Sequence, residues 1–264
     1  MRLHVHLEKE GLATLSLDLS GESLHKRGYR VSEHFAGLAT TPIKETLAST
    51  LLQILFSSPS SPSSYTLVDP FAGSGTFLFE HALKLTKTPA QHFRTKPFLF
   101  QNLPCYRKEE MEQVKREEDS KMLDPAQVGK RVRLVGSDLE KNQFELCSST
   151  LSKLSLFSPL IQFHNLSLSS LSSNSSLIPS PFQYIISNPP YKLSSGGKES
   201  QGLSDLYSSF LYFTKKNLSG RAVVISGAPQ NVLRESKLFE GNNFKRHKTL
   251  SNGGIKCLVG VLDK

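Results

Sequence analysis

Cysteine is scarce in this sequence, with three residues in a chain of 264. Cys105, Cys147 and Cys257 are far apart and odd in number, so the sequence indicates neither a disulfide framework nor a CxxC metal knuckle. Few cysteines without a pairing pattern are typical of a reducing compartment, and we expect this protein in the cytoplasm.

Long apolar runs and several catalytic signatures are also missing. No stretch approaches the roughly 20 apolar residues that a bilayer-spanning helix needs, and the opening MRLHVHLEKE lacks the apolar core of a signal peptide. The eight histidines show no HExxH or similar ligand spacing. No GxSxG elbow is present, which leaves nucleophilic hydrolysis without support. We therefore expect neither a membrane partner nor a bound metal.

Acidic residues are in the minority, with 23 Asp and Glu against 32 Lys and Arg and a net charge of +9. This surplus favours a polyanionic partner, most simply nucleic acid. Hydrophobic residues make up 38% of the chain, which suffices for a core and excludes a wholly disordered protein. The length suits one α/β domain with an appendage.

The start of the chain predicts a small extension. Alternating apolar residues up to Leu19 predict a β-hairpin or two edge strands. A basic segment over 25–30 follows, and Pro42 then opens a predicted helix with Thr41 as its cap. The Ser- and Pro-rich stretch at 57–64 predicts a linker.

The rest of the chain alternates between strand and helix patterns. We therefore assign 1–60 to an N-terminal hairpin, connector and helix, and 61–264 to the main domain. Strands are predicted at 65–68, 131–136, 160–163, 184–187 and 222–226, helices at 76–84, 108–121, 144–156 and 203–215, a loose Ser-rich loop at 166–180, and a closing hairpin at 245–250 and 255–262. This order predicts an α/β fold with a doubly wound, mostly parallel sheet and one antiparallel edge.

The segment DPFAGSGT, residues 69–76, lies between a predicted strand and a predicted helix. Gly73 and Gly75 remove side chains where the backbone must approach a ligand closely, and ligands of such sheets bind beyond the carboxyl ends of the strands. No GK[ST] follows, so this is not a phosphate loop, and the third glycine of the dinucleotide fingerprint is missing. An ordinary tight turn is the alternative, against which the flanking Asp-Pro-Phe and Thr argue.

The segment NPPY, residues 188–191, follows the fourth of these strands. Pro189 and Pro190 donate no backbone hydrogen bonds and stiffen the turn. We expect the Asn188 side-chain oxygen and the Pro189 carbonyl to be free to accept the two hydrogens of a planar amine, with Tyr191 as a flat face for a base. This arrangement favours methylation of an exocyclic amine by positioning, without a strong base. A rigid proline turn is the alternative.

The two segments together favour the functional interpretation over either alternative. We expect DPFAGSGT and NPPY to flank the central switch point of the sheet. Asp138 follows the second strand, where a carboxylate accepts hydrogen bonds from ribose hydroxyls, although a helix-capping role is equally compatible with its position.

Six segments carry a resemblance to a known family. In chain order they are LSLDLSGESLHKRGYR, TPIKETLAS, DPFAGSGTFLFEHAL, GSDLEKN, ISNPPY and NGGIKCLV. Their order resembles that of the bacterial large-subunit (23S) ribosomal RNA guanine-N2 methyltransferases, a family of THUMP-associated class I methyltransferases. The resemblance covers nearly the whole chain.

The resemblance implies a Rossmann-like class I methyltransferase fold, S-adenosyl-L-methionine as methyl donor, and N2-methylguanine in ribosomal RNA as product. It implies that Asn188, Pro189, Pro190 and Tyr191 hold the target base. The residues that it places at the cofactor are Asp69, Phe71, Gly73, Gly75, Thr76, Asp138 for the ribose, and Pro42.

The sequence departs from the family at two informative places. The family usually carries an RNA-binding THUMP domain before the LSLDLSG segment, where this chain nearly begins. We therefore expect either a separately encoded or truncated catalytic half, with a separate RNA-binding subunit in place of the THUMP domain, or a different mode of holding RNA. Similar enzymes also place an Asp after the third strand to hold the adenine amine, whereas this chain has Asn165 and Ser167 as substitutes.

Basic segments are candidates for RNA contact. Lys26, Arg27 and Arg30 could bind phosphates, and Tyr29 could stack on a base. A solvated connector is the alternative for these four residues. For the basic run at 245–248 we favour an edge strand that is solvated and protected by charge.

Three other functions remain open at this stage. NPPY after a glycine-rich turn also occurs in DNA adenine-amine methyltransferases, and NPPY in glutamine-amide protein methyltransferases. From a different class, the chain could be a catalytically idle RNA-binding or ribosome-assembly protein. The absence of both the THUMP domain and the third-strand Asp supports this alternative.

Overall fold

The computed structural model describes residues 2–9, 11–30, 42–57, 62–174, 176–178, 180–192 and 199–264. The strands are β1 (Arg2–Leu7), β2 (Ala13–Asp18), β3 (Tyr65–Asp69), β4 (Val132–Ser137), β5 (Ile161–His164), β6 (Phe182–Ser187), β7 (Leu218–Ser226), β8 (Lys245–Asn252) and β9 (Ile255–Asp263). The helices are α1 (Glu45–Leu55), α2 (Thr76–Leu85), α3 (Lys108–Asp119), α4 (Pro125–Gly129), α5 (Lys141–Lys153), α6 (Leu168–Ser173), α7 (Glu199–Asn217) and α8 (Gln230–Glu235).

Seven strands form the main sheet, in the order β5-β4-β3-β6-β7-β9-β8. The pairs from β5 to β7 are parallel, whereas β9 pairs antiparallel with both β7 and β8. The chain therefore reverses its winding between β3 and β6, and this switch point is where such sheets bind ligands. The predicted α/β class, the parallel sheet and the closing hairpin are confirmed.

Two apolar cores cover the faces of this sheet, and residues alternate between them along each strand as the pleat requires. Leu67 on β3 and Ile186 on β6 face a core that includes α1 and α2. Their neighbours Val68 and Ile185 face a second core that includes α7 and α8. The parallel strands are buried on both faces, which explains their nearly continuous apolar sequences.

The predicted N-terminal hairpin is confirmed as an antiparallel pair. Leu3 lies opposite Leu17 and Val5 opposite Leu15, so these four side chains share one face of β1 and β2. All four are exposed, from 40% to 68% of their surface.

The first long helix begins later than the sequence predicts. It starts at Glu45 after Lys44, and Pro42 precedes it in extended chain. Thr41, the predicted cap, lies outside the described residues. Leu51 and Leu55 are fully buried in the core shared with β3, so α1 packs against the main sheet.

The other predicted strands and helices are confirmed with shifts of a few residues at their ends. Residues 166–180 differ from the predicted loose loop because they contain α6. The Ser167 hydroxyl accepts a hydrogen bond from the Ser170 amide and caps this helix, while Leu168 and Leu171 bury its apolar side. Across the described part of the chain, no helix is both long and apolar enough to cross a bilayer.

A buried aromatic cluster surrounds His81 on α2, beneath the sheet. The His81 ring stacks on Phe56 with centroids 4.5 Å apart, and its Nε2 lies 2.7 Å from the Tyr65 hydroxyl. Burial lowers the pKa of His81 to about 3, with a smaller contribution from Lys84. The ring is therefore neutral in the folded protein.

This neutral His81 makes the fold sensitive to acid. Because its pKa is lower in the folded than in the unfolded state, stability is present above about pH 6.5 and falls by about 1.4 kcal/mol for each unit below it, down to pH 3. We expect His81→Phe to remove this slope in denaturant unfolding measured from pH 7 to pH 4. His6→Gln, on the exposed hairpin, is the control. An unchanged slope in the His81 variant would contradict the assignment.

Candidate active site

The glycine-rich turn and the NPPY turn lie side by side at one edge of the sheet. They follow β3 and β6, which pair in parallel with Val68 opposite Ile185. The Ser187 hydroxyl donates a hydrogen bond of 2.9 Å to Asp69 Oδ1, and both residues are buried. This bond joins the last residue of β3 to the last residue of β6 and fixes the distance between the two turns.

Backbone conformation explains the glycines of the first turn. Gly73 and Gly75 have φ of 52° and 73°, in the left-handed region that favours glycine. A Cβ on Gly75 would come within 2.6 Å of the Phe163 ring, whereas a Cβ on Gly73 would meet nothing within 4 Å. Gly75 therefore serves internal packing, while the open space at Gly73 can accept a ligand.

Asp138 holds the peptide of Gly73 in place. Its Oδ2 accepts a hydrogen bond of 2.8 Å from the Gly73 amide, and its Oδ1 accepts one of 2.9 Å from the Glu140 amide. On the other side, the Cys147 thiol donates to the Gly73 carbonyl. Burial raises the pKa of Asp138 above its ordinary value, against these two amide bonds. Each carboxylate oxygen keeps a second lone pair with which to accept a ribose hydroxyl.

Asn165 follows β5 and supports the same loop. Its side-chain nitrogen donates to the carbonyls of Asp138 and Leu139, at 2.9 and 3.0 Å. The amide oxygen is therefore the group that Asn165 can offer to an adenine amine, in the role for which similar enzymes use an Asp. Ser167, the other predicted substitute, caps α6 instead.

Asp69 is the most strongly perturbed carboxyl of the site. Burial raises its pKa to about 7, and the hydrogen bonds from Ser187 and the Phe71 amide to Oδ1 only partly oppose the shift. Its Oδ2 has no hydrogen-bond partner within the described ranges. A buried carboxyl with an unpaired oxygen, four residues before Gly73 in the chain, fits a ligand that brings a donor or a positive charge.

The NPPY turn is held by hydrogen bonds to its own members and its neighbours. The Tyr191 hydroxyl donates to Asn188 Oδ1 at 2.6 Å, and the Tyr207 hydroxyl donates to the Pro190 carbonyl at 3.2 Å. The sequence analysis expected Asn188 Oδ1 to be free. In the structure this oxygen already accepts one hydrogen bond. The Pro189 ring is buried beneath it. A base amine binding here would share or replace the Tyr191 hydroxyl as the donor to Asn188.

The predicted RNA-contact residues are largely engaged inside the protein. Arg27 forms a two-pronged ion pair with buried Glu80, with both bonds at 3.3 Å. The Tyr29 ring is 4% exposed and its hydroxyl donates to Glu80, which is incompatible in this structure with stacking on a base. Lys26 remains exposed and pairs with Glu22. The physical reason is that Glu80, on the inner side of α2, needs cationic partners when it is buried.

Arg30 links the basic segment to the glycine-rich turn. Its guanidinium contacts Glu45 at 2.7 Å and donates to the Ile43 carbonyl and the Thr76 hydroxyl, each at 2.8 Å. Because Pro42 directly precedes Ile43, these contacts bring the predicted Pro42 segment to the start of α2. Arg30 thus acts in positioning two parts of the candidate cofactor site.

Two residues of the site were missed by the sequence analysis. Ser187 sits at the end of a strand directly before NPPY, a position that could have marked it. Cys147 lies 74 residues from its partner Gly73, and no local signal predicts that contact. Among the described residues, no group of three or more His, Cys, Asp or Glu side chains could hold a metal ion.

A seven-stranded sheet of this order, parallel except for an antiparallel hairpin at one edge, with a glycine-rich turn after β3, is the fold of the class I methyltransferases. The family described as RMKL-like, methyltransferase domain (UPF0020) matches residues 27–260. The chain belongs to this family.

Curated relatives extend the likeness to the ends of the chain. The protein named "Putative RNA methyltransferase slr0064" from Synechocystis sp. is 28% identical over 260 residues, which cover 97% of this chain and 59% of the relative. "Ribosomal RNA large subunit methyltransferase K/L" of Pseudomonas aeruginosa is 47% identical over 83 residues, which cover 31% of this chain and 11% of that protein.

A solved structure supports the fold. The one described as "SMU.472, a putative methyltransferase complexed with SAH" superposes with a TM-score of 0.76 at 20% identity, over 99% of this chain and 61% of the other. The chain thus spans about three fifths of the length of the Synechocystis relative and of this structure.

The buried carboxyl of Asp69 predicts a pH-dependent stability effect. Because its pKa is higher in the folded state, wild-type stability falls by about 1.4 kcal/mol for each pH unit as pH rises from 5 to 7. We expect Asp69→Asn to remove this fall, so that the variant gains stability over the wild type toward pH 8 in denaturant unfolding. Exposed Asp205→Asn is the control. An equal gain at both ends of the pH range would argue against a buried ionisable Asp69.

The two parts of Tyr191 are expected to differ in importance. Its ring packs over Gly227, where a Cβ would approach the ring to 2.7 Å, while its hydroxyl donates a hydrogen bond to Asn188. We expect Tyr191→Phe to retain methyl transfer within about tenfold of wild type, and Tyr191→Ala to lose roughly 100-fold in kcat. Single-turnover methyl-transfer assays measure both. Equal losses in the two variants would show that the hydroxyl, rather than the ring, matters.

Proposed function

We propose that this chain transfers a methyl group from S-adenosyl-L-methionine to the exocyclic N2 amine of a guanine in large-subunit ribosomal RNA. The observation that carries this proposal is the Ser187–Asp69 bond, which holds a ligand-accepting glycine turn beside an amine-accepting NPPY turn. Membership of the RMKL-like methyltransferase domain family and the printed name of the Pseudomonas relative support the choice of ribosomal RNA.

The cofactor side of the proposal rests on the first turn. S-adenosyl-L-methionine would supply an activated methyl group on a sulfonium. The open space at Gly73 would accommodate the methionine part of the cofactor, and the unpaired Oδ2 of Asp69 suits its ammonium group. Asp138 would accept hydrogen bonds from the ribose hydroxyls. The remaining residues proposed to line this site are Pro42, Phe71, Gly75, Thr76 and Asn165.

The base side of the proposal rests on the second turn. Asn188 Oδ1 and the Pro189 carbonyl accept the two hydrogens of the guanine amine, which directs the nitrogen lone pair toward the first turn. The Tyr191 hydroxyl gives up its place on Asn188, and the ring supports the base. No residue needs to act as a strong base, because the amine can lose its proton after it has been methylated. Catalysis then consists of alignment and electrostatic stabilisation.

Access to the amine requires that the guanine leave its stack. Enzymes that modify a base in a stem or a loop rotate it out into a pocket, at a cost of a few kcal/mol. Part of this cost would be met by RNA contacts outside the two turns. We propose that a separate RNA-binding subunit or segment contributes to them, because about two fifths of the length of the Synechocystis relative lies outside the matched region.

The test combines cofactor binding with analysis of the product. We expect calorimetric titration to detect S-adenosyl-L-methionine binding in wild type and in Asn188→Ala alike. Mass spectrometry of ribosomal RNA nucleosides, from cells with and without the chain, is expected to show one N2-methylguanine that depends on it. Asn188→Ala should lower methyl transfer by roughly 100-fold or more, whereas Asn102→Ala, exposed and remote from both turns in the chain, should not.

Three outcomes would overturn parts of the proposal. Failure of wild type to bind S-adenosyl-L-methionine would favour an idle RNA-binding protein. Loss of N6-methyladenine from DNA, with ribosomal RNA unchanged, would favour the DNA adenine-amine alternative. Full activity of Asn188→Ala would remove the amine clamp from the mechanism.

A further inference from the structure

The edge strand β8 carries an uninterrupted run of exposed basic side chains. Lys245, Arg246, His247 and Lys248 are all exposed. The register shifts between Arg246, which lies opposite Gly260, and Lys248, which lies opposite Val259, so His247 is an extra residue. Such a bulge sets two successive residues of one strand against a single residue of its partner and bends the strand. The basic side chains are thereby crowded together on the edge of the sheet.

These charges have no acidic counterpart nearby in the chain. From Lys237 to Lys256 there are five Lys or Arg residues and one acidic residue, Glu240. Among the described residues, the basic side chains of β8 form no ion pair within 4.0 Å, and the Arg246 guanidinium instead lies 5.9 Å from the centroid of the Phe239 ring. Elsewhere Arg27, Arg30 and Arg221 are each paired with a carboxylate.

The strand register directs this basic run toward the candidate active site. Because β8 and β7 each pair antiparallel with β9, they point the same way, and β8 ends at the edge of the sheet that carries both turns. The last residue of β7, Ser226, lies opposite Leu258, which lies opposite Thr249. The three remaining residues of β8 therefore extend about 10 Å beyond the end of β7.

The projecting end of the hairpin contacts the NPPY turn. The Asn252 amide donates to the Tyr191 hydroxyl at 3.4 Å, and the Cys257 thiol reaches the same oxygen at 3.4 Å. A Cβ on Gly227 would approach both the Tyr191 ring and Ile255 within 2.8 Å, which shows how closely these elements pack. The basic strand and the proposed base clamp thus form one continuous surface.

Protection of a sheet edge does not by itself account for this surface. Single lysines or charges of either sign suffice to prevent edge-to-edge pairing. Here the charges have one sign, are concentrated on one strand, and lead to a turn suited to a nucleobase. A polyanion that passes the active site is the partner that this arrangement fits.

We propose that β8 binds the phosphate backbone of the RNA next to the target guanine, through Lys245, Arg246 and Lys248. The proposal rests on the proposed function, which supplies the RNA, and adds the surface along which the strand runs. This surface along β8 from Lys245 to Asn252, here called the track, is about 23 Å long. It holds the flanking nucleotides while the flipped base enters the NPPY turn.

The test compares RNA binding by two variants of equal charge change. In Lys245→Thr/Arg246→Thr/Lys248→Thr, threonine keeps the strand propensity while removing three charges. In Lys108→Gln/Lys115→Gln/Arg116→Gln, three exposed charges are removed from α3. Affinity for a short fluorescein-labelled single-stranded RNA is measured by anisotropy over about 50–200 mM KCl.

We expect the β8 variant to bind roughly 100-fold more weakly than wild type at about 0.1 M salt, with the slope of log affinity against log salt reduced by about 2. The α3 variant should change both quantities far less. Lys245→Arg/Lys248→Arg, which keeps the charges, should bind as wild type does. Equal losses in the β8 and α3 variants would show a mere effect of net charge and overturn the proposal.

Cofactor binding separates failure of this proposal from failure of the proposed function. All variants are expected to titrate with S-adenosyl-L-methionine as wild type does, which also verifies that the β8 variant is folded. If wild type binds RNA and the β8 variant binds it with the same affinity and salt slope, the track is wrong while the methyltransferase assignment stands. If wild type binds the cofactor but no RNA, the track and the RNA substrate both fall.

Discussion

The hydrogen bond between the Ser187 hydroxyl and Asp69 is the constraint on which the site depends. Two turns of different character, one open at glycine and one stiffened by prolines, follow strands that are neighbours only through sheet pairing. Burial strengthens this bond and raises the pKa of Asp69 to about 7, so the carboxyl is about half ionised near neutral pH. A hydroxyl donor can serve either protonation state of this carboxyl, so the spacing of the turns need not change when a ligand alters its charge.

Around this bond, each turn is held by groups from distant parts of the chain. Asp138 accepts a hydrogen bond from the Gly73 amide, and Cys147 donates one to the Gly73 carbonyl. Arg30 contacts both Thr76 at the start of α2 and Glu45 at the start of α1. In the second turn, the Tyr191 hydroxyl accepts a hydrogen bond from Asn252 of the closing hairpin. A methyl transfer governed by alignment requires such preorganisation, because no side chain has to act as a strong base and the rate depends on how the reactants are positioned.

Local sequence signals predicted the repeating units of the fold well. The strand at 65–68, the turn at 69–76 and the helix at 76–84 were recognisable because apolar runs, glycines and helical spacing act over a few residues. Prediction failed where a short helix competes with loop composition, as in the Ser-rich α6, which gains its stability from burial of Leu168 and Leu171. It was also inexact at α1, which begins at Glu45 rather than at Pro42 and whose first residue pairs with Arg30 from another segment.

The sequence by itself determined the class of the protein, through the order of its strands and helices and the two turns that follow β3 and β6. Only the tertiary structure decided which charged residues are available to a partner. Arg27 and Arg30 lie in the most suggestive basic segment, yet both are drawn inward by buried Glu80 and Glu45, while the basic run of β8 stays on the surface. Charge patterns in sequence are alike in the two cases. The difference arises from desolvation of acidic partners many residues away, which depends on packing and has no local signature.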